Sequence, residues 1–557
     1  MLKQQLESDL KEVINALGYQ STDIVCDIPK NSDFGDYTTN IALQLAKQNS
    51  TNGKQSPQEI ANNILEKLGP REYLEKAEVA GAGFINFFLK NEFLLKNLEA
   101  FVNFEKTESS KKILVEYGHV NPLKEIHIGH LRTFILGESL CRIFESMGNE
   151  VFRANYQGDI GLHIAKAIWG IQKTGLPSTE LDLEEKAKFL GQAYAKGTSE
   201  YEASSEAKKE IDEINTALYK KEESIKKLYQ LAREWSLSYF NPIYEALDIK
   251  YDRCFFESEV FESGKEVVLK NMGKVFVEDQ GAVIFPGEKY GLHNRVFITQ
   301  AGNPTYEGKE IGLAQLEYDT FNYDKSIHVV ASEQAGYFQV VIKAIEMLFP
   351  HIEGKKYHLS YGFVDLKQGK MSSRTGNVVT FDDILKIVSE KVREVIKESR
   401  LEINQELVRS IALGAIKFSY LKYSPEPNIV FDLDQSVSLQ GDSGPYVQYT
   451  YARIQSVLSK INYQEGNMDQ ILDQKERLIL QKASYFPEIV KKVSVSLHPN
   501  ILAEYLIDLS RIYNLFYQEN RIIGSEKENL RIMLSKTTAD ILKKGLYLLG
   551  IEAPDKM

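Results

Sequence analysis

The sequence predicts an α/β protein built on a doubly wound parallel sheet, with a smaller α/β module before it and an all-helical domain after it. Three observations carry this reading. A strand-loop-helix-strand run occupies residues 113 to 154, strand-like runs return as far as residue 330, and from about residue 401 the apolar spacing is helical. At 557 residues the chain is too long for one core and should divide into domains of roughly 100 to 200 residues.

Residues 1–108 read as the N-terminal module, with a helix over residues 1–17, a second over Asn40–Lys47 and a strand over Gly83–Leu89. Glu105–Lys112 is polar and reads as a linker. Ile113–Tyr117 is a short buried-strand pattern, followed by a loop with Asn121-Pro122. A helix over His127–Met147 then buries Leu136, Leu140, Ile143, Phe144 and Met147 on one face and stops at Gly148. Val151–Ala154 restarts as a strand, which gives the β-α-β signature of a parallel sheet. Residues 175–245 are charged and helical in period and read as an insertion. Strands are expected at Ala282–Phe285, Arg295–Thr299 and Ile327–Val330, and none beyond residue 401. The expected domains are 1–108, 109–404 and 405–557.

Hydrophobic residues make up 43% and charged residues 26%, which excludes disordered and fibrous classes. Nowhere do 18 apolar residues run together, and the N-terminus mixes charge with apolar residues, so a cytoplasmic protein without a membrane partner is expected. Cys26, Cys141 and Cys254 are far apart, and of nine histidines only His127 and His130 are close, so neither a disulfide framework nor a structural metal such as zinc is expected. The net charge of −11 opposes a nucleic-acid partner, but it is uneven: residues 405–557 hold 18 basic and 18 acidic residues, leaving the whole surplus in the first 404.

His127-Ile128-Gly129-His130 falls where a strand and loop feed a helix N-terminus, the place where unpaired backbone N–H groups and the helix dipole attract phosphate. Imidazoles at i and i+3 share a helix face, and Gly129 leaves room for adenine or ribose to approach the backbone. Much later stands a basic loop, Lys370-Met371-Ser372-Ser373-Arg374-Thr375-Gly376-Asn377. Alone, the first motif reads equally well as an ordinary helix start, and the second reads better as a solvated loop. In this order and context they resemble the HIGH and KMSKS elements of class I aminoacyl-tRNA synthetases, which implies a Rossmann-like catalytic domain.

The resemblance narrows to the arginine-specific family and covers nearly the whole chain. Glu116-Tyr117 through Asn121-Pro122-Leu123-Lys124 to His127–Arg132, Asn155–Gly161 with its Gly158-Asp159-Ile160-Gly161, and Lys370–Thr380 resemble that family's catalytic signatures. Gly444–Tyr449 with Ala452-Arg453, and the ending Pro554–Met557, resemble its anticodon-binding domain. Gly35-Asp36-Tyr37, Asn40 and Gly81–Asn86 resemble its N-terminal tRNA-binding module.

Arginine's guanidinium is always charged and presents five donors in a plane, so a selective pocket needs carboxylates and an oriented hydroxyl or amide acceptor. The resemblance implies that Glu116, Tyr306 and Glu310 face the guanidinium, that Asn121 and Gln334 hold the polar end, and that His127 also touches the amino acid. Adenylate formation needs no proton abstraction, so catalysis is positioning and charge stabilisation. His127, His130, Lys124 and Lys370 are assigned that work, and Gly129, Met371, Ser372 and Ser373 join them around ATP, which brings Mg2+. Tyr446, Tyr449, Tyr451 and Arg453 form an aromatic and basic cluster suited to stacking on anticodon bases, with about half expected to be core, and Met557 completes the tRNA-binding set. The implied partners are tRNA(Arg), L-arginine and ATP, and the implied state is a monomer. The family generally needs tRNA present to activate arginine.

Three positions depart from the family pattern. Glu310 stands where Asp is usual, His119 interrupts a stretch that is usually Ser-Ser-Pro and reads as a packing variant, and Ser373 replaces the second KMSKS lysine, leaving Arg374 or Lys124 to supply that charge. The competing readings are a synthetase for another amino acid, a small nucleotidyltransferase sharing the HIGH element, and a synthetase-like scaffold without activity.

Overall fold

A computed structural model describes residues 2–19, 23–48, 55–104, 110–367, 379–397, 404–461 and 471–557. The first helix, Leu2–Ala16, buries Leu6, Leu10, Val13 and Ile14 at helical spacing. It packs with helix Pro57–Leu68, whose start is fixed by a reciprocal Ser56–Glu59 cap. Beside them lies a three-stranded antiparallel sheet with Phe84–Leu89 between Tyr37–Thr39 and Leu74–Ala80. Helix Ile41–Gln48 and strand Phe84–Leu89 fall where expected. Helix Pro57–Leu68 and strand Leu74–Ala80 were not anticipated.

The central sheet has five parallel strands, β1 (Lys112–Glu116), β2 (Glu150–Gln157), β3 (Arg253–Phe256), β4 (Lys325–Ala331) and β5 (Lys356–Tyr361). Their spatial order is β3-β2-β1-β4-β5, so the winding reverses between β1 and β4. In such sheets the crevice outside the carboxyl ends at that reversal is where ligands bind. Lys112, read as linker, is instead the first residue of β1, held by its N–H on Asp324 Oδ2. The helix Ile128–Ser146 crosses from β1 to β2.

Residues 175–245 are indeed an insertion, of helices Leu183–Ala203, Ser205–Tyr219 and Glu223–Ala246, packed on helix Leu162–Thr174 around a core of their own. Gly170 makes the contact possible, because a Cβ there would stand 2.0 Å from Ala193 O. Between β3 and β4 lie the helices Glu257–Lys270 and Tyr306–Thr320 and a small antiparallel sheet, Val277–Asp279, Ala282–Phe285 and Arg295–Ile298.

The C-terminal part comprises helices Gln405–Leu421, Gly444–Leu458, Gln474–Ser496, Asn500–Glu519 and Glu528–Leu548. The expectation of no strand beyond residue 401 is corrected by Ile429–Phe431, which pairs in parallel with Val364–Leu366. A buried guanidinium fixes this junction: Arg132, on the helix after β1, donates to the carbonyls of Gly362, Phe363, Ser424, Pro425 and Pro427. The N-terminal module docks on the C-terminal helices through the Gly35-Asp36-Tyr37 motif. Arg477 donates to both oxygens of Asp36, Tyr485 to Asp36 O, and Tyr37 to Glu488 Oε1 at 2.6 Å. Among the described residues no helix is long and apolar enough to cross a membrane.

Candidate active site

The helix Ile128–Ser146 begins at the crevice with His127 as its N-cap. His127 Nδ1 accepts the Gly129 N–H at 3.1 Å, and His130 Nδ1 accepts the His127 N–H at 3.2 Å. Burial, joined by the neighbouring Lys124 charge, lowers the affinity of His127 for a proton; burial, His127 and Lys124 lower that of His130 further. Both rings are therefore neutral near pH 7 with the proton on Nε2, a pair of stacked donors 3.6 Å apart between centroids. A Cβ at Gly129 would sit 2.9 Å from His127 Cε1, so the glycine also makes room for the imidazole. Lys124 Nζ lies 5.0 Å from the centroid of the Tyr194 ring. Lys370, Met371, Ser372, Ser373 and Arg374 lie outside the described residues, but Thr380, at the end of the same segment, forms a backbone bridge with His127. Ile128 N–H donates to Val379 O and Phe381 N–H to Ile126 O.

At the end of β1, Glu116 is 1% exposed. Parallel register sets it opposite His328 of β4, so the two side chains share a face, and Oε2 lies 3.2 Å from His328 Nδ1. Its other oxygen lies 3.3 Å from His119 Nδ1, so His119 packs directly against this carboxylate. Glu310, on helix Tyr306–Thr320, is buried too. Burial first, and then the Glu116 charge, push its carboxyl well above the usual range, and among the described residues no cation lies within ion-pairing distance of it. Nearby, the Tyr156 hydroxyl is buried with no partner among the described residues. Two carboxylates short of countercharge favour a ligand cation.

Tyr306, at the start of the same helix, is 54% exposed, its ring centroid 5.2 Å from Lys309 Nζ. Gln334 is exposed in the turn after β4. Asn121 Oδ1 accepts the Gly158 N–H at 3.0 Å, tying the loop after β1 to the one after β2.

Sequence reasoning missed two buried groups. Lys309 Nζ meets Glu257 Oε2 at 2.6 Å, both nearly inaccessible. Lys356 Nζ meets Glu317 Oε2 at 2.7 Å and His328 Nε2 at 2.9 Å. Two signals were available: Glu310 and Glu317 are seven residues apart on one helix face, and His328 interrupts an apolar strand run.

In the C-terminal helices, the Arg453 guanidinium stands 4.8 Å from the Tyr449 ring centroid and 5.5 Å from that of Tyr517. Arg453 and Tyr446 both bond Asn514. Tyr451 is core, its hydroxyl on Asp555. Met557 packs against the main core rather than standing free.

Residues 94–433 match the family described as tRNA synthetases class I (R), catalytic domain, so the sheet and its histidine-headed helix define a class I aminoacyl-tRNA synthetase. Residues 2–89 match the arginyl tRNA synthetase N terminal domain and residues 447–557 the DALR anticodon binding domain. The chain belongs to the arginyl-tRNA synthetase family. It is 31% identical to the arginine–tRNA ligase of Parabacteroides distasonis over 90% of this chain and 91% of that one. It is 30% identical to that of Borrelia hermsii over the whole of both. The Thermus thermophilus arginyl-tRNA synthetase structure matches with a TM-score of 0.85 at 27% identity, over all of each chain.

Proposed function

We propose that this chain activates L-arginine with MgATP to arginyl-adenylate and pyrophosphate, and then transfers the arginyl group to the 3′-terminal adenosine of tRNA(Arg). The observation that carries the reading is the placement of Glu116 and Glu310, buried at the sheet's reversal point, with Glu310 free of any cation partner among the described residues. A planar, permanently charged guanidinium supplies the missing charge and several donors at once. Arginine's carboxylate then attacks the α-phosphate in line, and the Nε2–H groups of His127 and His130, with Lys124 and Lys370, stabilise charge on the phosphates. Asn121, Gln334 and Tyr306 complete the amino-acid site, and Gly129, Met371, Ser372 and Ser373 the nucleotide site.

Residues 1–108 and 405–557 hold tRNA, and 109–404 perform the chemistry. Tyr446, Tyr449 and Arg453 meet the anticodon arm, with Met557 at the end of that surface. The working form is a cytoplasmic monomer. The test is aminoacylation of total tRNA with labelled arginine, together with pyrophosphate exchange for each amino acid with and without tRNA. Exchange that depends on arginine and on added tRNA is expected. Equal exchange with another amino acid, or no charging at all, overturns the reading.

A further inference from the structure

Behind the proposed arginine pocket lies a buried polar relay that no requirement of folding explains. Its members come from four elements: Glu116 from β1, Ser326 and His328 from β4, Lys356 from β5, and Glu317 from helix Tyr306–Thr320. Period-2 alternation puts Ser326 and His328 on one face of β4, and the parallel registers Glu116↔His328 and Ser326↔Lys356 bring their neighbours to the same face. Four polar side chains on the covered face of a sheet, with a fifth on the helix that covers it, are costly to bury, and apolar residues would fill that space at lower cost.

We infer that His328 and Lys356 are positioning residues for arginine recognition: Lys356 fixes the tautomer of His328, and His328 in turn aims the Glu116 carboxylate at the guanidinium. Lysine has no acceptor, so its 2.9 Å approach to His328 Nε2 makes that nitrogen the acceptor and leaves the ring proton on Nδ1. Nδ1 faces Glu116 Oε2 at 3.2 Å, and both atoms are buried with no hydrogen bond made, so a small rotation of the carboxylate closes the contact. Burial, with Lys356 next, holds the imidazole neutral; for Lys356 burial is again the largest single cause, but the Glu317 carboxylate at 2.7 Å, together with Tyr323 and Glu116, outweighs it and keeps the ammonium charged.

Glu116, Glu317 and His328 also present oxygen and nitrogen atoms within 4.8 Å of one another, the layout of a cation site. The Lys356 ammonium already bonds two of the three, and so serves as the cation there. The chain of contacts is thus Glu317, Lys356, His328, Glu116, with substrate at its end.

This inference rests on the assignment of Glu116 to the guanidinium, and the experiment separates the two. Pyrophosphate exchange in the presence of tRNA is measured for Glu116→Gln, His328→Ala, His328→Asn and the double variant Lys356→Met with Glu317→Leu, which removes the buried pair together. The expected result is a rise of about tenfold or more in the arginine KM for His328→Ala and for the double variant, the loss of one charge-assisted hydrogen bond. The KM for ATP and kcat should stay within about twofold, because the relay touches neither phosphate nor His127. His328→Asn, whose amide N–H stands in for Nδ1–H, should recover most of the affinity. If Glu116→Gln leaves the arginine KM unchanged, the pocket assignment fails. If Glu116→Gln raises it while His328→Ala and the double variant do not, the relay is overturned. Parallel losses in ATP affinity and kcat, or no recovery by His328→Asn, also overturn it, since those are the marks of a merely structural role.

Discussion

Thr380 forms an antiparallel backbone bridge with His127, so the segment that ends the basic loop is tied by main-chain contacts to the start of the histidine helix. The bridge uses no side chain of His127, so it survives replacement of the imidazole. His127→Ala should slow adenylate formation by about a hundredfold, the loss expected for one charge-stabilising donor. It should cost only about 1 kcal/mol of stability, the value of the helix cap that His127 provides. Tm and pyrophosphate exchange on the same preparation check both halves.

The Lys309–Glu257 pair predicts a stability effect with a built-in control. Its atoms are 2.6 Å apart with 4% and 3% of the side chains accessible, so removing one partner strands a charge. Lys309→Met should destabilise by about 3 to 5 kcal/mol, and adding Glu257→Leu should restore much of that loss. Urea unfolding of the single and double variants decides it, and a double variant no more stable than the single would show that the charge was not the cause.

How far these groups could be read in advance depended on whether their geometry was local. His127 and His130 were legible because a helix start and i, i+3 spacing are written in consecutive residues. Glu116 was legible as the end of an apolar strand run. The relay behind it was not, because Glu317, His328 and Lys356 meet only once β1, β4 and β5 are placed side by side in that order. β3 escaped notice because Arg253–Phe256 is four residues long; Lys356–Tyr361 does carry the polar–apolar alternation of a half-buried strand, a signal the sequence reading passed over. Ile429–Phe431 is shorter still and follows Pro425 and Pro427, which read as loop. The run Glu307–Glu310 is charged, yet its members are buried because helix Glu257–Lys270 packs against it.

Acid should act on His163. Burial is the main cause that lowers its pKa from 6.5 to about 4, while its Nε2 lies 2.7 Å from Gly158 O. Between those values the unfolded chain binds the proton and the folded chain does not, so this stability is complete above pH 6.5 and is lost as pH falls toward 4. The size is about 3 kcal/mol. His163→Gln keeps a donor for Gly158 O without the titration, so its Tm should fall less than the parent's between pH 7 and pH 4. Parallel curves would exclude His163 as the cause.

Arg453, flanked by the Tyr449 and Tyr517 rings, should report on RNA alone. Arg453→Ala removes a charge and a stacking partner, and should raise the KM for tRNA about tenfold, within the range for one stacked base. The arginine and ATP constants should hold at saturating tRNA. The slope of log affinity against log salt should become shallower by about one if Arg453 meets a phosphate, and should stay unchanged if it only stacks.

Glu310 gives the sharpest test of the amino-acid pocket. Its carboxyl is buried beside that of Glu116, so burial and repulsion favour its protonated form, and a guanidinium reverses that balance. Glu310→Gln keeps the size and removes the charge. It should cost about 3 to 5 kcal/mol of arginine binding, a rise of two orders or more in KM, while the ATP constant barely changes. Neutral citrulline, as a competitive inhibitor, should be affected far less, because it brings no charge to be paired. Glu310→Asp shortens the reach by one methylene. If Glu116, His119 and Tyr156 have settled around the longer side chain, arginine affinity falls; if there is slack, it holds or improves. Unchanged arginine KM in both Glu310→Gln and Glu310→Ala would remove Glu310 from the site and leave Glu116 to recognise the guanidinium without it.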